Sequence, residues 1–262
     1  MNEVSKTLFI PLYGKAQVSS KGVILSDPTA ERIWRAEAFP VRGKAKSKWL
    51  AYNMAMRARV FDDWTDDMLR ADGGALVLHI GCGLDSRCLR VQERYANWID
   101  ADLPDVIALR KDHYAESAAY RMAALDASRP EQVARLPDAP AAIVVMEGLS
   151  MYLTNAQVSA LFRALERKYA RLHILMDVYT AFGARASRYK NPVNEVGVTR
   201  LYGVDDVRAL LDGTSIRLRT EHSFTPERLI SELRPRERAF FRMMFAEKLY
   251  RRIYRLYELE RT

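Results

Sequence analysis

LVLHIGCGLDSRCLR, residues 76–90, is the stretch of the sequence that points most directly to the fold. An apolar run, 76–80, stops at Gly81, passes through Gly83 and is followed by a segment with leucine and valine on one side. This order predicts a buried strand, a tight turn and a helix. Because ligands of parallel sheets bind beyond the carboxyl ends of the strands, the turn is also the first candidate for a binding site.

Length and composition are those of an ordinary soluble globular protein. The chain has 262 residues, of which 49% are apolar and 28% charged, so it can bury a large core. No apolar run reaches the roughly 18 residues that a membrane span needs, and the first residues lack a secretory cleavage pattern. We therefore predict a cytoplasmic protein without membrane contact.

The two cysteines and four histidines give little support to disulfide or metal chemistry. Cys82 and Cys88 are too close together, in a turn and the segment after it, to frame a disulfide scaffold. The histidines are scattered singly and lack the spacings of zinc motifs. We expect reduced thiols and no metal site.

Helix signals dominate the first 70 residues. Asp27 followed by Pro28 predicts a capped helix start, because aspartate accepts from backbone N–H groups and proline fits the first helical position.

Further along, Thr154 and Gln157 form a capping box that predicts a second helix start.

Strand signals alternate with helix signals after about residue 74. The predicted strands are 75–80, 97–101, 120–124, 141–146, 172–178 and part of 216–224. The segment 250–260 fits either a continued helix or an edge strand. Strands that alternate with helices predict parallel pairing with right-handed crossovers, and therefore an α/β fold with a doubly wound sheet.

Acidic residues follow the predicted strands where a parallel sheet binds its ligands. Asp100 and Asp102 end the second strand. Asp126 follows the third strand, and Glu147 ends the fourth. Asp102 also lies about twenty residues beyond the glycine turn, the spacing at which a carboxylate reaches a ribose diol. The pattern predicts a ligand that contains a nucleoside.

Two residues of the turn argue against a dinucleotide. The fingerprint G-x-G-x-x-G needs a third glycine for close packing of helix on strand, and Ser86 stands there. Asp85 occupies the helix start where a pyrophosphate would bind, so that two negative groups would compete for the same N–H donors. S-adenosylmethionine (SAM), which carries an ammonium, a sulfonium and one carboxylate, suits acidic strand ends better.

Several segments resemble the leucine carboxyl methyltransferase and tetracenomycin polyketide O-methyltransferase (TcmP-like) family of class I SAM-dependent methyltransferases. The segments that carry the resemblance are HIGCGLDSRCLR, WIDADLP and MEGLSMYLT, with RARVFDDW upstream and MDVYTAFG and SFTPERL downstream. The resemblance implies a single Rossmann-like domain over 1–262 with seven strands, the last antiparallel, which would make 250–260 a strand. It also implies that residues 1–70 form a helical lid over the cofactor and that 71–262 form the core.

The resemblance implies the cofactor-binding residues as well. Arg57 of the lid would bind the methionine carboxylate of SAM, while Gly81 and Gly83 would let the backbone approach the cofactor closely. Asp102 would hold the ribose hydroxyls, and Asp126 would contact the adenine.

The reaction centre is expected at the end of the fourth strand. By the same resemblance, Glu147 would face the methionine end of the cofactor near the reaction centre. Tyr152 would line the mouth through which the substrate enters, with a core aromatic as the open alternative. Arg87 is expected to be a structural anchor.

The methyl acceptor is predicted to be a small molecule methylated on oxygen. A carboxylate is ionised at neutral pH and needs no general base, whereas an aliphatic hydroxyl needs one. The sequence places no histidine for that role, although His113 and His173 remain open. We therefore favour a carboxylate acceptor and leave a hydroxyl as the second choice.

The carboxyl-terminal segment, 233–262, is basic, with nine arginines and lysines against four acidic residues. These side chains are either the solvated face of an amphipathic helix or a surface for an anionic partner. We expect an anionic small molecule and no nucleic acid. The alternatives are an RNA- or protein-directed methyltransferase of the same family and a SAM-binding protein without catalysis; the oligomeric state is open.

Overall fold

The computed structural model describes residues 1–187, 191–245 and 250–262. Its centre is one seven-stranded sheet in the order β3-β2-β1-β4-β5-β7-β6. The strands are β1 (Leu76–Ile80), β2 (Asn97–Asp102), β3 (Tyr120–Ala124), β4 (Ala141–Met146), β5 (Arg171–Tyr179), β6 (Arg217–His222) and β7 (Tyr254–Arg261). Strands β1 to β5 pair in parallel, and β7 runs antiparallel to both β5 and β6. The doubly wound sheet and its antiparallel last strand are confirmed.

The predicted strands agree with the observed ones to within one or two residues. Every residue of β1 and β4 is buried, because central parallel strands are covered on both faces. In the ambiguous segment 250–260 the strand begins at Tyr254.

Helices cover both faces of the sheet and its carboxyl-terminal edge. They are α1 (Glu3–Lys6), α2 (Phe9–Ser19), α3 (Pro28–Glu37), α4 (Lys48–Ala71), α5 (Arg87–Arg90), α6 (Pro104–Lys111), α7 (Asn155–Lys168), α8 (Ala181–Ala186), α9 (Glu227–Ile230) and α10 (Pro235–Phe245). No helix among the described residues is long and apolar enough to cross a membrane.

Both predicted helix caps are present. The side chain of Asp27 accepts from the backbone N–H of Ala30 at 2.8 Å, and α3 begins at Pro28. The capping box of Thr154 and Gln157 starts α7. These signals are local, which is why the sequence alone locates them.

The helix after the glycine turn is shorter than the sequence pattern suggests. Helix α5 has a single turn, because the chain turns away at Val91. The backbone N–H groups of Gln92 and Glu93 then donate to Asp66 on α4 instead of continuing the helix.

Helix α4 belongs to the core as well as to the amino-terminal helical region. Its buried residues, among them Ala55, Met56 and Phe61, share one apolar cluster with Val77 of β1 and Ile143 of β4. Helix α4 therefore packs on the sheet.

The basic carboxyl-terminal segment is largely ion-paired or bonded to backbone. Arg242 pairs with Glu227, and Arg251 pairs with Glu221 at 2.9 Å. Lys248, one of its cations, lies outside the described residues. This arrangement fits the solvated face of an amphipathic helix.

Candidate functional site

A cavity of about 700 Å³ lies at the carboxyl ends of β1, β2 and β4, between the sheet edge and the amino-terminal helices. All the site residues expected from the sequence line it: Arg57, Gly81, Gly83, Asp102, Asp126, Glu147 and Tyr152. They come from α4, from four different strand ends and from the loop after β4. The fold therefore gathers into one place residues that are up to 95 positions apart in the sequence.

The glycine turn lies against the cavity and requires glycine at two positions. Gly81 and Gly83 have φ angles of 74° and 52°, which other residues adopt only with strain. A Cβ atom at Gly81 would lie 3.1 Å from the side chain of Leu149, and one at Gly83 would lie 3.2 Å from Leu8. The turn thus presents bare backbone to whatever occupies the cavity.

Asp102 is held by the turn that it faces. One carboxylate oxygen accepts from the backbone N–H of Gly83 and the other from that of Leu103, each at 2.7 Å. Burial raises the pKa of Asp102 to about 6, against the lowering effect of these two bonds. Each oxygen keeps a lone pair for a ligand hydroxyl.

Asp126, after β3, lies in a tight turn of its own. Its Oδ1 accepts from the backbone N–H and the hydroxyl of Ser128, at 2.9 and 2.6 Å. Its backbone N–H donates to Gln132. The side chain is thereby oriented at the cavity wall.

Glu147 is the acidic end of a buried ion network. It accepts from Arg57 Nε at 2.9 Å and from Arg87, whose guanidinium also donates to Asp62. Burial would raise its pKa, but Arg57, Lys15 and Arg87 together lower it to about 2. Glu147 is thus a fixed negative charge, and Arg87, fully buried, anchors it.

Arg57 reaches the cavity from α4 and bridges two strand ends. Besides Glu147 it donates through Nη1 to Asp177 at 2.9 Å and to the Tyr254 hydroxyl at 3.2 Å. Its Nη2 group makes no hydrogen bond to the part of the chain that the structure describes, and packs near Gly148. Donors of Arg57 therefore remain for a ligand.

The sequence reasoning missed Asp177, at the end of β5. One oxygen accepts from the backbone N–H of Gly148 at 2.6 Å, and the other accepts from Arg57 and Tyr254. Its position follows the rule that identified Glu147, a carboxylate near a strand end. Applying that rule to the fifth strand would have found it.

Lys15, on α2, was missed as well. It is 3% exposed, lines the cavity and pairs with Asp85 of the glycine turn. A lysine inside an otherwise apolar helical stretch is the signal that the sequence offered, because lysine is rarely buried without a partner.

Besides His79 Nδ1, two polar atoms at the cavity are buried and have no hydrogen-bond partner among the described residues. They are Ser5 Oγ and Asn53 Oδ1, and Asn53 lies one helical turn before Arg57. Unsatisfied buried polar atoms are costly, and in a binding site they are the groups that a ligand satisfies.

Aromatic side chains form the wall of the cavity away from the glycine turn, where Tyr179, Phe224, Tyr250 and Tyr254 line it. The rings of Tyr179 and Phe224 pack edge-on against Tyr254, with centroids 4.5 and 4.7 Å from it. Tyr152 lines the cavity too, and burial raises its pKa to about 12. This wall is suited to exclude water and to hold a flat apolar group.

Asp100 is not part of the site, contrary to its grouping with the strand-end carboxylates. Its oxygens accept from Trp98, Arg110 and Tyr120, so its carboxylate is used in the core. Asp100, two positions before Asp102, does not line the cavity.

The histidines left open as bases do not line the cavity. His113 contacts Glu37 at 2.7 Å, and His173 lies within β5. His79 does line it, but Arg87 Nη1 lies 3.2 Å from one ring nitrogen and Asp100 lies 3.4 Å from the other.

The sheet order with antiparallel β7, the glycine turn and the carboxylate at the end of β2 define the class of Rossmann-like SAM-dependent methyltransferases. SAM fits the residues present: bare backbone at the turn, a buried carboxylate at ribose spacing, and cations with unpartnered polar atoms farther along the cavity. Residues 13–166 match the leucine carboxyl methyltransferase family, and the chain belongs to that family.

Relatives with established names agree with this class. The tetracenomycin polyketide synthesis O-methyltransferase TcmP of Streptomyces glaucescens is 29% identical over 240 residues, which cover 87% of this chain and 88% of TcmP. The S-adenosyl-L-methionine-dependent methyltransferase dpfgK of Gibberella zeae is 28% identical over 230 residues, covering 78% of this chain and 76% of dpfgK.

Solved structures share the fold. Magnesium protoporphyrin IX methyltransferase from Synechocystis PCC 6803, crystallised with bound SAH, superposes with a TM-score of 0.51 at 14% identity, over 89% of this chain and 94% of the other. The protein is thus an enzyme, a SAM-dependent methyltransferase.

Proposed function

We propose that the protein is an O-methyltransferase that transfers the methyl group of SAM to a carboxylate of a small acceptor with an apolar, flat body. The observation that carries this proposal is the lack of a suitable base among the described side chains buried around the cavity. An acceptor that is already ionised at neutral pH needs no base.

Three buried titratable groups at the cavity are unsuited to take a proton from a hydroxyl, and a fourth, Asp102, whose pKa is about 6, is assigned to the ribose. Glu147 is bonded to two arginines, and its pKa is about 2. His79 lies between Arg87 and Asp100, and burial lowers its pKa. Burial raises the pKa of Tyr152 to about 12, so its hydroxyl stays protonated at neutral pH.

The nucleoside end of the cofactor is assigned to the glycine turn and to β2 and β3. Asp102 accepts from both ribose hydroxyls, and Asp126 contacts the adenine. Gly81 and Gly83 allow the close approach of the backbone. The support is the orientation of Asp102 by two backbone N–H groups and the absence of Cβ atoms at the turn.

The methionine end is assigned to the ion network. Arg57, through its remaining donors, and Lys15 hold the methionine carboxylate, and Glu147 faces the ammonium. Both cations come from the amino-terminal helices, on α4 and α2, so these helices act as the lid over the cofactor. Because Lys15 already pairs with Asp85, it exchanges or shares that partner when the cofactor carboxylate arrives.

The acceptor is assigned to the aromatic wall, with Tyr152 at its mouth. Bound SAM supplies a methyl group on a sulfonium, which is already activated for transfer to a nucleophile. The protein aligns the acceptor oxygen and excludes water, which strengthens the nucleophile by removing its hydration. The name of TcmP, an O-methyltransferase of polyketide synthesis, supports methylation of oxygen on a small molecule.

The test is to follow labelled methyl groups from SAM into metabolite extracts, peptides with free carboxyl termini and tRNA. We expect label in a small acidic molecule, as an ester that mild alkali hydrolyses. The Asp102→Ala variant, which should not bind SAM at the concentration used, is the control for enzyme-dependent transfer. Label that survives alkali would mean hydroxyl methylation; label in tRNA or in peptides would favour the RNA- or protein-directed alternative. SAM binding with no transfer would indicate a binding protein.

A further inference from the structure

A short basic segment, 42–46, lies on the outer side of the cavity wall. It carries three exposed cations, Arg42, Lys44 and Lys46. Their side chains form no ion pair or hydrogen bond with the described residues, in contrast to Arg242 of α10 and Arg251 before β7. Three unpaired like charges within five residues repel one another and carry a cost that an anion would relieve.

The basic segment is fixed to side chains that line the cavity. Val41 and Ala45 are buried in a small apolar cluster that includes the cavity-lining residues Ile10, Leu50, Met54 and Val193. The segment is therefore one side-chain layer away from the interior of the cavity, and its charged side chains are exposed to solvent.

A second contact fixes the segment against another element that lines the cavity. The backbone N–H of Lys44 donates to Glu195 at 3.0 Å, and a Cβ atom at Gly43, whose φ is 52°, would collide with the same carboxylate. Glu195 belongs to the turn Pro192–Val196, of which Pro192 and Val193 line the cavity. One carboxylate thus offsets part of the charge of the segment, and a net positive surface remains.

The interior of the cavity has more acidic than basic side chains. The acidic residues Asp85, Asp102, Asp126 and Glu147 line it, and its cations Lys15 and Arg57 are already paired with carboxylates. An acceptor whose carboxylate enters this acidic interior gains from positive charge near the cavity, because opposite charge near the path raises the association rate.

We propose that the basic segment 42–46 binds a second anionic group of the acceptor, one that is not methylated, so that the enzyme selects acceptors with two acidic groups. This inference rests on the proposed function, since it assumes a small acidic acceptor in the same cavity. The methylated carboxylate lies inside against the aromatic wall, and the second group stays at the surface beside Arg42, Lys44 and Lys46.

The test uses three probes with one ring system and different charge: 2-naphthamide, 2-naphthoate and 2,6-naphthalenedicarboxylate. Their binding to the protein saturated with S-adenosylhomocysteine is measured by calorimetry at low and high ionic strength. We expect the dicarboxylate to bind most tightly and the advantage to shrink with salt, because exposed charges are screened. The variant R42Q/K44Q/K46Q should weaken dicarboxylate binding about fivefold to tenfold, the size expected for a few exposed charge contacts, and leave the amide unchanged.

The matched control is R94Q/K111Q/R217Q, which removes three exposed cations that do not line the cavity or its wall. The inference is overturned if this control weakens dicarboxylate binding as much, since net charge alone would then be responsible. It is also overturned if the amide loses as much affinity as the dicarboxylate, or if no probe binds. Alkali-labile labelling by the wild-type enzyme is measured separately. If no such label forms, the proposed function is refuted, whereas the binding data alone decide the role of the segment 42–46.

Discussion

Replacing Asp102 by alanine should weaken SAM binding by two to four orders of magnitude and leave the fold intact. The carboxylate is fixed by the N–H groups of Gly83 and Leu103 and has one lone pair on each oxygen for a ribose hydroxyl. Charge-assisted hydrogen bonds contribute roughly 1.5 to 3 kcal/mol each, so two lost bonds correspond to about 3 to 6 kcal/mol. Because about 1.4 kcal/mol corresponds to a tenfold change in affinity, this loss corresponds to an increase in Kd of two to four orders of magnitude.

Calorimetric titration with SAM and with S-adenosylhomocysteine measures this change. Asp112→Ala, which removes an exposed carboxylate at the end of α6 that does not line the cavity, is the control and should bind like the wild type. A Kd for Asp102→Ala within threefold of the wild type would refute the assignment, because Asp102 would then be no more than a residue that closes the glycine turn.

The same carboxylate gives the binding a pH dependence. Burial raises the pKa of Asp102 to about 6, so it is mostly ionised at pH 7.5 and mostly protonated at pH 5. A protonated carboxyl accepts more weakly, and SAM affinity should therefore fall as the pH decreases through about 6. In Asp102→Ala this step should disappear, and an unchanged pH profile in that variant would assign the step to another group.

Three further predictions follow from the cavity and its surroundings. Lys15→Met should weaken SAM binding about tenfold but not the binding of decarboxylated SAM, which lacks the group that the lysine would hold; calorimetry with both ligands decides, and equal losses would contradict the assignment. Gly81→Ala should lower the free energy of unfolding by about 1 kcal/mol because of the positive φ, and it should lower SAM affinity because the added methyl lies 3.1 Å from Leu149. Urea unfolding and calorimetry measure the two effects, and no change in either would contradict the requirement for glycine. Thr154→Ala should lower the free energy of unfolding by about 1 kcal/mol through loss of the α7 cap, with SAM affinity unchanged. A loss of SAM affinity would instead mean that the start of α7 contributes to the binding site.

The strand ends show what could be predicted from the sequence. A buried strand, a glycine turn and a carboxylate at the next strand end are each visible within a few residues. Parallel pairing then brings those ends to one edge. Asp102, Asp126 and Glu147 were found in this way, and the helix caps at Asp27 and Thr154 were found by local signals alone.

The length of α5 shows where such local signals stop. Nothing in the residues after Arg90 ends a helix by itself. The helix ends because Asp66, on a helix that precedes β1 in the chain, accepts from the N–H groups of Gln92 and Glu93. Asp100 shows the same limit for a side chain. Its position at a strand end suggested that it binds a ligand, but its carboxylate accepts hydrogen bonds from Arg110 and Tyr120 in the core.

What the sequence by itself determined is the α/β class, the strand positions and the strand-end carboxylates, because periodicity, capping and turn chemistry act over a few residues. Only the tertiary structure decided which charges meet. Arg57 pairs with Glu147, 90 positions away, and with Asp177, 120 positions away, while Lys15 pairs with Asp85 across 70 positions. Such pairs depend on how α2 and α4 pack over the sheet edge, and burial then strengthens them by removing the water that would screen them.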